Sequence, residues 1–168
     1  PLNLINASLR GLHVSGCQLK GVSADNASFS GSVYFRAGSH IAGEVSLSGT
    51  QINGDLQICD VVIEADTQDA IFAPSLRVQG SMFLGNYPYA DGGTTLVTTG
   101  QIFLSSARIE HDLFLSNTAI TLNDTALAGA VFGATEEHGS NIAVSLARAR
   151  IGGILFLQSN QISRGIFN

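Results

Sequence analysis

Short runs in which apolar residues occupy every second position recur along the chain. "INGDLQI" (52–58) and "IGGILFL" (151–157) show the pattern most clearly: an apolar residue, a Gly and two further apolar residues stand at alternate positions. A period of two is the pattern of a β-strand with one buried face. The runs therefore predict short strands whose apolar faces turn toward a common core.

The runs are copies of one unit, small–x–φ–x–Gly–x–φ–x–φ, in which φ is apolar. Most successive φ centres lie 10 to 12 residues apart, and a small residue such as Ala7 or Ala27 often stands two positions before a centre. The clearest centres form a predicted structural ladder: Leu9, Leu19, Phe29, Ile41, Ile52, Val78, Ile109 and Ile151. Units this short have no room for a helix beside the strand, so the repeat indicates strands joined by tight corners.

Two units would complete one turn of a coil in which each strand pairs in parallel with its copy one turn later. We therefore predict an all-β fold, a single-stranded parallel β-helix (solenoid), right-handed, with about 20–22 residues per turn and about 7–8 turns. Residues 1–168 form one domain, with insertions near 59–74 and 85–95 where the rhythm breaks. Because both ends fall inside a unit, we expect either an excerpt of a longer coil or coil ends that are covered by partner copies.

The quintets "ASLRG", "CQLKG" and "ASFSG" resemble those of pentapeptide-repeat proteins over roughly residues 7–35. The chain as a whole resembles bacterial β-helical proteins built from A-x-I-x-G-x-L-x-L units, which are often uncharacterised or labelled as membrane-associated oxidoreductases. The resemblance implies a solenoid. No G-x-G-x-x-G segment between a strand and a helix supports the oxidoreductase label, and we expect no cofactor.

Charge and composition narrow the classes of partner. The net charge is −5 and only 8 residues are basic, which argues against nucleic-acid binding. No apolar run approaches the roughly 20 residues of a membrane-spanning helix. Membrane association is therefore left open but is not supported by a spanning segment. The lack of a visible secretory signal and of a disulfide framework favours a cytoplasmic location. Cys17, at a position where other units carry Ala or Thr, is predicted to be a small buried thiol.

Two polar stretches could carry chemistry. The first contains Asp60, Glu64, Asp66 and Asp69, whose spacing matches no calcium-binding loop, and we expect solvated turn acids there. The second contains Glu136, Glu137 and His138, which would point apart in an extended segment, so a solvated loop is expected. No catalytic and no metal-binding residues are predicted.

The residue between the last two apolar positions of a unit should face outward. It is aromatic in six copies, which form a candidate interaction surface: Tyr34, Phe83, Phe103, Phe114, Phe156 and Phe167. We expect Phe83 and Phe103 to be neighbours on one face, and Phe114 and Phe156 to lie two turns apart on the other. Contiguous exposed aromatic residues are typical of a contact surface. The alternative is that a loop or the local register hides them.

These observations favour a non-enzymatic structural or protein-interaction module. Its partner would be a protein or a second copy, bound through the aromatic face or the coil ends. A β-helical carbohydrate-active enzyme is one alternative, and it needs several carboxylates and basic residues converging in a groove. A DNA mimic, as found among pentapeptide-repeat proteins, is another and needs rows of acids. The 13 acids are scattered and favour neither.

Overall fold

The computed structural model describes residues 1–86, 95–122, 142–163 and 166–167, apart from the side chains of Gln68, Ser163, Ile166 and Phe167. Within these ranges the chain contains strands and turns but no helix. Every strand pairing there is parallel, and the strands form three sheets, here called A, B and C. The predicted all-β fold with parallel pairing is confirmed.

Among the described residues, sheets B and C each contain six strands and sheet A contains eleven. Sheet B consists of β2 (Ser8–Leu9), β6 (Ser28–Phe29), β10 (Gln51–Ile52), β13 (Arg77–Val78), β16 (Arg108–Ile109) and β20 (Arg150–Ile151). Sheet C consists of β3 (Leu12–Ser15), β7 (Val33–Arg36), β11 (Leu56–Cys59), β14 (Met82–Gly85), β17 (Leu113–Ser116) and β21 (Leu155–Gln158). Sheet A consists of β1 (Leu2–Asn3), β4 (Gln18–Leu19), β5 (Val22–Ser23), β8 (Ser39–Ile41), β9 (Val45–Ser46), β12 (Val61–Phe72), β15 (Leu96–Phe103), β18 (Thr118–Thr121), β19 (Ile142–Ser145), β22 (Gln161–Ser163) and β23 (Ile166–Phe167).

The chain visits the sheets in a constant order, from A to B to C and back to A, and each passage is called a circuit here. Ser8 pairs with Ser28, 20 residues on, as predicted for one turn. The spacing is 22 residues at two later places, where Ser39 pairs with Val61 and Leu96 pairs with Thr118. The hydrogen-bonded corner residues between sheets B and C, by contrast, lie 23, 26, 31 and 42 residues apart in turn. The expected 20–22 residues per turn therefore holds for some stretches of the chain, and longer segments separate others. Among the described residues, sheets B and C have six strands each, against the 7–8 turns expected.

The predicted structural ladder divides into two columns because successive units alternate between sheets. Leu9, Phe29, Ile52, Val78, Ile109 and Ile151 pair in succession across sheet B. Leu19 and Ile41 pair with each other in sheet A. Alternate units, and not adjacent ones, therefore stack on each other.

A ladder residue is buried only where a neighbouring circuit packs against it on both sides. In sheet B, Phe29 and Ile52 are fully buried, whereas Leu9 in the first circuit is 37% exposed. Cys17 is also exposed, contrary to the prediction of a buried thiol. Ser39, one circuit later and hydrogen-bonded to the Cys17 backbone N–H, is fully buried. The sequence position of Cys17 is a core position, but it lies in the first circuit and has a neighbour on one side only.

Each passage from sheet A to sheet B turns through a residue in the left-handed conformation. Asn26 has φ 55°, and the Ala27 N–H donates to the Ala24 carbonyl at 3.0 Å, as in a type II turn. Asn tolerates this conformation better than most residues. Ala27, which follows, is 1% exposed, so a small side chain fills the narrow interior beside the corner.

Glycine at the corner from sheet B to sheet C is required by close backbone approach. A Cβ on Gly54 would lie 2.8 Å from the Ser32 nitrogen and 2.9 Å from the Gly31 carbonyl carbon. Real Cβ atoms do not approach backbone this closely, so stacked corners need glycine there.

The expected insertion at 59–74 is a strand for most of its length. Residues Val61–Phe72 form β12, which pairs with β8, β9 and β15. Its register shifts on either side of Asp69, where a bulge takes up the extra residues. Most of the second expected insertion, near 85–95, and the segment with Glu136, Glu137 and His138 lie outside the described residues.

Candidate interaction surfaces

An aromatic column runs across the outer face of sheet C. His13, Tyr34, Gln57, Phe83, Phe114 and Phe156 pair in succession on adjacent strands. On either side of this column the alternate residues, such as Leu56 and Ile58, are fully buried in the core. The period of two therefore directs the column away from the core.

Parallel pairing in exact register brings the aromatic rings of this column face to face. The ring centroids of Phe83 and Phe114 lie 4.8 Å apart, with 8° between the planes. Those of Phe114 and Phe156 lie 4.5 Å apart, with 1° between the planes. These separations are close to the distance between paired strands, so the backbone register sets the stacking.

Arg36 connects Tyr34 and Gln57, the two members of the column that immediately precede Phe83. The Arg36 guanidinium lies 4.4 Å from the centre of the Tyr34 ring and donates a hydrogen bond to Gln57 Oε1. Gln57 is only 2% exposed, although it lies on the outer side of the strand. Arg36 thus links the Tyr34 and Gln57 circuits by a cation–π contact and a charge-assisted hydrogen bond.

The predicted neighbour relations of the aromatic residues are wrong. Phe83 pairs with Phe114, which in turn pairs with Phe156 one circuit later. Phe103 lies in sheet A and stacks on Phe72 at 5.6 Å. Val78 lies in sheet B and Thr98 lies in sheet A, with β14 of sheet C between them along the chain. A unit centre at Thr98 therefore belongs to sheet A, which places Phe103 on a different sheet from Phe83.

The six predicted aromatic residues also do not form one exposed stripe. Phe83 is 7% exposed and Phe103 is 4% exposed, so both are buried, while Tyr34 and Phe114 are partly buried. Phe156 is 40% exposed. Phe167 lies in β23, and its side chain is outside the description. Of the predicted surface, Phe156 is the member that is clearly accessible.

The accessible apolar surface is concentrated around Phe156, in and just before strand β21. Ile154, Leu155, Phe156 and Leu157 are exposed by 59, 37, 40 and 51%. Leu113 and Leu115, which occupy the same positions on the preceding strand, are only 1% and 2% exposed. The residues of β21 are core residues by pattern, but strand β21 is at the edge of sheet C.

A column of arginines on sheet B was not found by sequence reasoning. Arg77, Arg108 and Arg150 pair in succession on three adjacent strands, and all three are exposed. Each arginine stands directly before an apolar centre of the repeat. That shared position is the one feature of the sequence that indicates their alignment. They lie 31 and 42 residues apart along the chain, so their alignment depends on the register.

A buried acid lies at the bulge of β12, where solvated turn acids were expected. Asp69 is 7% exposed, and its Oδ1 atom has no hydrogen-bond partner. Burial, and then the charge of Glu44, raise the pKa of Asp69 to about 7. Burial and the charge of Asp25 also raise the pKa of Glu44, whereas a hydrogen bond from Thr67 at 3.2 Å lowers it.

The other expected solvated acids, Asp60, Glu64 and Asp66, are exposed. Glu64 pairs with His40, with 2.9 Å between His40 Nε2 and Glu64 Oε2. Burial raises the pKa of the Cys59 thiol to about 11, which keeps it protonated and unreactive at neutral pH.

Among the described residues, no group of three or more His, Cys, Asp or Glu side chains is placed to hold a metal ion. No helix in that part of the chain is long and apolar enough to cross a membrane. Comparisons with protein-family models, with curated proteins and with solved structures find no match to this chain.

Proposed function

We propose that the chain winds as a parallel β-helical solenoid and acts as a non-enzymatic interaction module that associates with a second copy of itself. The observation that carries this proposal is the run of four exposed large hydrophobic residues, Ile154 to Leu157, at the edge of sheet C.

The constant order of the sheets supports the winding. Each return to a sheet adds one parallel strand beside the previous one, as for β3, β7 and β11 in sheet C. A chain that repeats this passage in one direction forms a coil. Among the described residues, β3 and β21 are the two edge strands of sheet C, and an edge strand leaves backbone groups unpaired on its outer side.

The free edge of β21 fits another parallel strand in which apolar residues also occupy every second position. The strand β17 already covers the other edge of β21 in this way, with Leu113, Phe114 and Leu115 opposite Leu155, Phe156 and Leu157. In a second copy, β3 offers Leu12 and Val14 at the same two inward positions. Head-to-tail stacking of β21 on β3 would extend the apolar column and pair both edges.

Such an interface is heterologous, because different surfaces of the two copies meet. Repetition of the same contact produces a linear assembly unless the rotation closes a ring. We therefore expect association that increases with protein concentration.

Analytical ultracentrifugation of the purified chain and of Leu157→Lys tests this proposal. Leu157 is half exposed at the edge, so a lysine there should leave the fold intact while placing a charge in the proposed interface. We expect the parent chain to associate and the variant to remain monomeric.

Val97→Lys is the matched control. Val97 is 39% exposed and lies in β15, which has strand neighbours on both sides. The Val97→Lys variant should associate like the parent chain. Circular dichroism should give the same spectrum for the parent chain and both variants. A parent chain that is monomeric at every concentration, or equal loss of association in both variants, would refute the proposal.

A further inference from the structure

Sheet B carries a shallow groove with different chemistry on its two sides. At β13, β16 and β20 an apolar residue stands between two exposed ones, so two outward columns run in parallel. One column contains Arg77, Arg108 and Arg150. Asn53, Gln79 and Glu110 line the other side, and the two halves of the groove share Arg108 and Glu110.

The arginines are aligned but unpaired. In the described part of the chain, neither an ion pair nor a side-chain hydrogen bond involves any of the three. Like charges directly opposite each other on neighbouring strands destabilise a sheet. Three guanidinium groups at strand spacing, without carboxylate partners, therefore form a site that an anionic ligand would stabilise.

We propose that this groove binds an anionic polysaccharide, a chain of hexuronate units, with the arginines on its carboxylates and the opposite column on its hydroxyl groups. Guanidinium groups bind carboxylates through paired, charge-assisted hydrogen bonds. The amides of Asn53 and Gln79 and the carboxylate of Glu110 offer the neutral donors and the acceptors that sugar hydroxyls need.

The distance between successive arginines favours a polyuronate over an acidic peptide as the ligand. Paired strands lie about 4.8 Å apart, whereas side chains on one face of an extended peptide repeat at about 6.7 Å. Consecutive acidic side chains of a peptide would therefore drift out of step with the arginines. Successive units of an extended uronate chain face opposite ways, so the carboxylates on one side recur at every second unit. That distance is close to two strand spacings, and it places them opposite alternate arginines such as Arg77 and Arg150.

The surroundings of the groove also disfavour a nucleic acid. Single-stranded nucleic acids are bound by basic grooves combined with aromatic side chains on which bases stack. The residues that line this groove include no aromatic side chain on which a base could stack.

Isothermal titration calorimetry with short oligogalacturonates at near-physiological salt tests the proposal. We expect saturable binding that Arg108→Gln weakens by about tenfold, because Arg108 is central and loses a charge-assisted pair. Arg10→Gln is the matched control: Arg10 is an exposed arginine just after β2, outside the groove, and its loss should leave the affinity unchanged.

Glu110→Gln should tighten binding, because it removes the one negative charge in the groove and keeps the side-chain length. Poly-glutamate and oligo-deoxythymidylate are titrated under the same conditions. Equal binding of poly-glutamate would replace the proposal with an acidic peptide, and equal binding of the oligonucleotide would replace it with a nucleic acid. No binding of oligogalacturonate, or equal weakening by Arg10→Gln and Arg108→Gln, would overturn it.

Discussion

At the scale of single residues, similar sequence positions take on different roles according to the neighbours that the fold supplies. Asp66 and Asp69 belong to the same acidic stretch, yet Asp66 is exposed and Asp69 is 7% exposed. The bulge in β12 turns Asp69 inward without a hydrogen-bond partner for Oδ1. A carboxyl group in such a place is held in its neutral form by the cost of burying a charge.

This burial predicts an unusual dependence of stability on pH. The pKa of Asp69 rises from 3.8 to about 7 on folding, so the folded state binds the proton more tightly than the unfolded state does. The stabilisation is complete below about pH 4 and is lost as the pH rises through 7. Asp69→Asn should therefore flatten the change in unfolding free energy between pH 4 and 7 and stabilise the protein at pH 8, by a few kcal/mol at most.

Urea unfolding at several pH values measures this, with Asp66→Asn as the control. Asp66 is exposed in the same strand, and its replacement should leave the profile of the parent chain unchanged. If Asp69→Asn kept the same pH profile as the parent, the burial of a neutral Asp69 would be disproved.

At the scale of elements, side chains at the corners hold successive circuits together. The Asp55 carboxylate accepts a hydrogen bond from the Ser81 N–H at 2.9 Å, and the Asp112 carboxylate accepts one from the Ile154 N–H at 2.8 Å. At two other corners a serine hydroxyl oxygen is the acceptor: Ser32 Oγ accepts from the Asp55 N–H, and Ser81 Oγ accepts from the Asp112 N–H. Asp55 and Asp112 are therefore structural acids that satisfy backbone donors beside the strands of sheet C.

Removal of one acceptor from this ladder should weaken its circuit. Asp112→Ala leaves the Ile154 N–H without its partner and should lower the unfolding free energy by about 1–2 kcal/mol. Asp112→Asn keeps an acceptor oxygen in the same place and should lose less. Chemical denaturation of both variants gives the comparison, and equal losses would show that the hydrogen bond does not contribute.

At the scale of the whole molecule, stability should vary along the succession of circuits. Central residues such as Leu56 and Ile58 in β11 are fully buried between circuits on both sides, whereas Leu155 and Leu157 in β21 are 37% and 51% exposed. In repeat architectures each unit is stabilised by its neighbours, so edge units open most readily.

Native-state hydrogen exchange measures this gradient. We expect amides of β21 to exchange through local opening and amides of β11 only through global unfolding, with the difference reduced at high protein concentration if copies stack on the β21 edge. Uniform protection from β3 to β21 would contradict this gradient.

The local pattern was enough to predict the short strands, the parallel pairing and the alternation of units between two stacks. Ile52 and Val78 are buried and paired because a period of two directs each to the core. Small residues and glycines at corners were also predictable, since Ala27 and Gly54 occupy places where a larger side chain has no room.

Tertiary structure alone decided which distant residues meet. Arg77, Arg108 and Arg150 align, and Phe83 stacks on Phe114, because segments of unequal length separate the circuits and only the strand register fixes what lies opposite. Burial likewise depended on the neighbouring circuit, which hides Leu113 and leaves the equivalent Leu155 exposed. The sequence by itself determined the unit, because its pattern is local. The surfaces that could bind a partner arose from long-range pairing, which no local pattern encodes.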